Sequence, residues 1–226
     1  VKEVFRRRRS AEVEAVPAVS EDQSATPART SGPWDAEDGY PEAERVDLGG
    51  LRLPIGPGFE VQLSLAGDHI DGALVFVNES ALQVHAFAAP KRSGVWDEIR
   101  AELSREVEAV GGTVEEREGP FGVELAAKVP TQDQGPQPAR YIGIDGPRWF
   151  LRAVISGRAA IDDEAAETLE NVVRDIVVVR GDEPMAPKDA IHLRLPAEAR
   201  QAMEEQDQKP KLNPFAPRGP EITETR

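Results

Sequence analysis

Between positions 59 and 65 apolar and polar residues alternate without a break, which is the period of a half-buried strand. A continuous apolar run at 72–77 follows, and Asn78-Glu79-Ser80 links it to a second run at 81–87. So short a polar connection predicts an antiparallel hairpin. After Pro90 the period changes, and Trp96, Ile99, Leu103, Val107 and Val110 fall at helical spacing. Ser93 is the expected N-cap and Gly111-Gly112 the stop. Further strands are predicted near 113–118, 121–129, 140–144 and 148–156. A second helix starts around Asp162 or Asp163, turns Ala166, Leu169, Val172 and Val173 inward, and runs into 176–179. Periodicity alone does not decide whether that last apolar run leaves the helix as a strand. Short candidate strands lie at 51–53, stopping at Pro54, and at 191–195, and the pattern leaves open whether they join the sheet.

The pattern predicts one α+β domain over residues 46–195, an antiparallel sheet of about seven or eight strands covered by two amphipathic helices. Residues 10–45 are dominated by Ala, Glu, Pro, Ser, Asp and Thr, too few large aliphatic groups to offset chain entropy. Residues 1–45 are therefore expected to be a disordered acidic leader with a basic start, with Trp34 and Tyr40 as the only aromatic residues of its acidic part. Residues 196–226 are expected to hold one short exposed helix and a Pro-rich disordered tail.

The absence of cysteine excludes disulfides, thiolate metal sites and cysteine nucleophiles, and fits a reducing compartment such as the cytoplasm. No run of 18 apolar residues occurs, so no transmembrane helix is expected. Arg6-Arg7-Arg8-Arg9 is followed by Glu12 and Glu14 where a secretory signal needs an apolar run. Val1 matches a literally translated GTG start, and heavy use of Ala, Arg, Gly and Pro matches high-GC codons, so a bacterial source is expected. The formal charge is −14 for 226 residues, and the predicted domain itself is acidic. Such a surface repels phosphate backbones, so nucleic acid is not an expected partner of the core.

The stretches Leu53-Pro54 with the run 59–65, Leu82-Gln83-Val84-His85-Ala86-Phe87-Ala88-Ala89-Pro90-Lys91, Gly143-Ile144-Asp145-Gly146-Pro147-Arg148-Trp149, and 172–179 resemble an uncharacterised actinobacterial family of unknown function. The element order also resembles, more distantly, the PsbP/Mog-like fold. That resemblance implies a sheet with covering helices and a non-catalytic accessory or binding role, and it carries no functional residue with it.

Candidate chemistry is sparse. Asp68-His69-Ile70-Asp71 sets two carboxylates beside an imidazole, but metal sites need three or four converging ligands, so a polar loop is expected there. His85 alternates with Gln83 and reads as an outward surface residue. No P-loop, dinucleotide fingerprint or nucleophile elbow appears, and no cofactor is expected. Arg140, Tyr141, Arg148, Trp149 and Arg152 concentrate basic and aromatic residues, the types enriched at interface hot spots. The competing reading is a core hairpin whose arginines reach out to water. In the tail, Phe215 sits among overlapping Pro-x-x-Pro spacings. The expected function is a non-catalytic cytosolic binding or accessory module with an unidentified protein partner. An enzyme of unrecognised type, or an RNA- or membrane-surface adaptor through the basic start, are the alternatives.

Overall fold

Two antiparallel meanders joined by one helix build the main sheet, and their residues explain which face each helix covers. The computed structural model describes residues 30–91, 94–131, 135–196 and Ala199. In chain order the elements are β1 (Trp34–Asp35), β2 (Arg45–Asp47), β3 (Leu51–Pro54), β4 (Glu60–Ala66), β5 (His69–Val77), β6 (Ser80–Ala88) and α1 (Trp96–Ala109). There follow β7 (Thr113–Gly119), β8 (Gly122–Val129), β9 (Gln137–Gly146), β10 (Trp149–Gly157), α2 (Asp163–Asp175) and β11 (Val177–Val178). The main sheet has seven antiparallel strands in the order β4-β5-β6-β10-β9-β8-β7. The fold is thus α+β, as the pattern predicts. The second meander runs inward from β7, and its last strand pairs with β6, from Trp149 opposite Ala88 to Gly157 opposite Ser80.

Both faces of the central strands are covered, and alternation sorts their side chains between two cores. Leu82, Val84 and Ala86 of β6 share one buried cluster with Trp149, Leu151, Ala153 and Ile155 of β10. Ala166, Leu169, Val172 and Val173 of α2 close this cluster, as helical spacing predicts. On the opposite face Phe150, Phe87 and Tyr141 pack with Trp96, Ile99 and Leu103 of α1. Trp96 lies so close on Gly143 that a Cβ there would fall 2.1 Å from the indole, so only glycine admits the helix at this distance.

The N-terminus of α1 is held from outside the helix. Ser93 lies outside the described residues, and Val95 at the N-cap offers no side-chain acceptor. Asp145 of β9 takes that place, accepting from the backbone N–H of Val95 at 2.7 Å and of Trp96 at 3.3 Å. Val110, expected on the inner face, lies past the helix end and is 61% exposed. In α2 the Asp162 side chain accepts from the N–H groups of Glu164 and Ala165, an ordinary N-cap.

A second, smaller sheet, in the order β1-β11-β3-β2, covers the same face as α2. The run after α2 does leave the helix as a strand, β11, and the strand expected at 51–53 belongs to this sheet. Ordered backbone starts upstream of Val46: Trp34 N–H donates to Ile176 O at 2.8 Å and Ala36 N–H to Val178 O at 2.9 Å. Asp35 is buried there, and Trp149 Nε1 donates to its carboxylate at 2.6 Å. The segment 188–193 joins the main sheet through two isolated bridges, Phe87 with Ala190 and Ile70 with Leu193, and Lys188 N–H also donates to Ala88 O at 2.8 Å. Among the described residues, no helix is long and apolar enough to cross a membrane.

Candidate functional site

The five residues singled out on β9, β10 and their turn do not form one surface patch. Trp149 is fully buried and Arg140 is 2% exposed, which corrects the expectation that both meet a partner. The cause is register: Trp149, two residues before Leu151, necessarily faces the α2 side, where a core already exists. Arg140 also faces that side, and its guanidinium donates to Glu124 at 3.0 Å and to Glu170 of α2 at 2.8 Å. Burial works against its charge, but these hydrogen bonds and the two carboxylate charges outweigh it and raise the Arg140 pKa. Arg148 sits half-buried in the tight turn, at φ +61°. Phe215 lies outside the described residues.

Tyr141 and Arg152 face α1, and there the structure assembles a cleft. Phe87, Phe150, Ile99 and Leu103 wall a cavity of about 180 Å³, and Arg152, Glu102, Glu106 and Lys188 complete its lining. Arg152 lies over the Phe87 ring, 5.4 Å from its centroid, a cation–π arrangement. Phe87 in turn stacks on Phe150 at 6.1 Å, and Phe150 on Trp96 at 6.0 Å. Lys188 at the mouth pairs with Glu98 at 2.9 Å and Glu102 at 3.4 Å.

Behind Arg152 lies His85, which is 5% exposed and so is no outward surface residue. A period-2 pattern shows alternation without showing that the second face is covered as well. Gly72 opposite His85 makes the room, since a Cβ there would fall 2.6 Å from the imidazole. Burial and the Arg152 charge lower the His85 pKa, and Asp71 only partly offsets them. The neutral ring then offers its Nδ1 lone pair to Arg152 Nη2 at 3.4 Å, leaving Nε2 turned to Asp71 at 3.8 Å. Burial also lowers the Arg152 pKa and raises that of Tyr141. Two polar atoms of this strip, Arg152 Nε and Asp71 Oδ1, are buried without a hydrogen-bond partner.

His69 is not in a loop, as expected, but opens β5, where its ring lies 4.7 Å from that of His192. Among the described residues, no three His, Asp or Glu side chains converge to hold a metal ion. Sequence reasoning missed the cleft because its walls come from three segments far apart in the chain. The available signal was Arg152 itself, a cation interrupting the apolar run 149–155.

No curated protein matches this chain. Among solved structures it is similar to the solution structure of cyanobacterial PsbP (CyanoP) from Synechocystis sp. PCC 6803, at 13% identity and a TM-score of 0.39. That match covers 65% of this chain and 99% of the other, and the fold assignment above rests on strand order alone. Residues 32–202 match the family described as protein of unknown function (DUF3710), most of the chain's length, and the chain belongs to that family.

Proposed function

We propose that the protein is a non-catalytic binding module of the cytoplasm that holds a protein partner in the cleft between α1 and the sheet. One observation carries this reading: a half-buried guanidinium lines a cleft of aromatic and aliphatic side chains and lies over the Phe87 ring. Arginine and aromatic side chains are also residue types enriched at protein interfaces. The lack of cysteine suits a reducing compartment.

The test compares immobilised full-length protein with its Arg152→Gln variant in capture from cells of its source. At least one protein retained by the first and lost from the second, with matching melting curves, is the expected result. An identical captured set from both sinks the reading.

A further inference from the structure

We infer that the α1 cleft recognises a carboxylate attached to an apolar side chain, either a small organic acid or the C-terminal residue of a protein; this rests on the binding reading above. The argument begins with size. A cavity of about 180 Å³ lies below the roughly 300–1,000 Å³ of drug-sized ligand pockets. It slightly exceeds the roughly 150 Å³ in which an apolar cavity holds benzene. One aromatic ring, or a branched aliphatic group, is the apolar payload that fits.

The walls agree with that payload. Phe87, Phe150, Ile99 and Leu103 offer aromatic faces and branched chains with no polar atom of their own. Polar recognition therefore falls to the charged groups of the rim and floor. Lys188 is occupied by Glu102 of the rim and by Glu98 outside the cleft, which pairs off two of those charges. Arg152 differs: among the described residues its only hydrogen bond is the 3.4 Å contact with His85, and its Nε has none. Asp71 lies 3.8 Å from His85, and its charge and that of Glu106 also act on Arg152 without bonding it. A planar guanidinium with free donors selects carboxylate, which accepts two parallel N–H bonds. Glu106 stands exposed at the rim, where solvent and salt screen its repulsion. An apolar ligand without charge would leave the charge of the Arg152 guanidinium unanswered in the cleft, and a cation would oppose it.

The probes are N-acetylphenylalanine and its uncharged counterpart N-acetylphenylalaninamide, titrated into the full chain labelled with nitrogen-15. Saturable shifts of the Phe87, Leu103, Phe150 and Arg152 amide signals are expected with the acid, and binding at least tenfold weaker with the amide. Arg152→Gln should bring the acid down to the level of the amide while leaving the remaining spectrum in place. Free phenylalanine and a tripeptide ending in phenylalanine separate the two sources: tighter binding of the tripeptide assigns a protein C-terminus, tighter binding of the amino acid a small acid. Equal binding of acid and amide, unchanged acid binding in Arg152→Gln, or no shifts in the cleft would overturn the inference. If that happens while Arg152→Gln still loses a captured protein, the carboxylate class fails and the binding reading stands.

Discussion

Arg140 and Arg152 sit on neighbouring strands and face opposite sides of the sheet, and the structure assigns them opposite energetic roles. Arg140→Met removes the guanidinium from a carboxylate, Glu124, that is 1% exposed. Breaking one side of a buried ion pair typically costs about 3–5 kcal/mol, because the remaining charge is stranded in a low-dielectric site. Glu124 keeps Arg117 at 2.6 Å, whose side chain is 37% exposed, so the lower end applies. About 3 kcal/mol corresponds, for a domain of this size, to a Tm lower by roughly 6–12 °C. Arg152→Met is a different perturbation. It gives up a cation–π contact worth about 0.5–1 kcal/mol and relieves the desolvation of a donor that has no acceptor. The net change is expected within about 1 kcal/mol of zero by the same magnitudes. Urea unfolding followed by tryptophan fluorescence, with the melting curve as a second probe, measures both variants. Equal losses for the two arginines would refute the reasoning, since it would mean that Arg152 is as well satisfied as Arg140.

Two further outcomes follow from the site's supports. Asp145→Ala removes the acceptor at the start of α1 and should cost about 0.5–2 kcal/mol, the range for a lost N-cap, with faster hydrogen exchange at Val95 and Trp96 as the local signature. His85 has its pKa lowered in the fold, so the unfolded chain binds more protons; its share of stability is present above the ordinary histidine pKa near 6.5 and is lost as pH falls below it. His85→Gln should therefore flatten the decline in Tm between about pH 6.5 and pH 5, and an unchanged decline would count against a neutral buried imidazole.

Much of the framework was legible because its signals are local. The alternating run 59–65 supplies most of β4 (Glu60–Ala66), failing only at Leu65, which a register shift leaves exposed, and the helical spacing of Ala166, Leu169, Val172 and Val173 gives the buried face of α2 correctly. What local patterns cannot carry is which faces are covered. His85 reads as outward, and Trp149 as either partner-facing or core, because the sequence shows alternation but not a sheet sandwiched on two sides. Phe150 and Trp149, adjacent in sequence, enter different cores for the same reason. Arg140 was read as a contact residue because its partners, Glu124 and Glu170, are supplied by another strand and by α2. β1 went unseen because two residues have no period, and its pairing partner β11 stands near the other end of the domain.

That pairing sets an order of events in folding. Each hairpin of the main sheet closes a short loop, so the two meanders assemble from local contacts. The small sheet is only partly local: β2 and β3 form a hairpin, but among the described residues β1 pairs only with β11, from near the other end of the domain. Contacts between such distant segments are bought with the largest loop-closure entropy and gather late. The bond from Trp149 to Asp35, which ties the two ends of the domain together, is therefore expected to form late in folding.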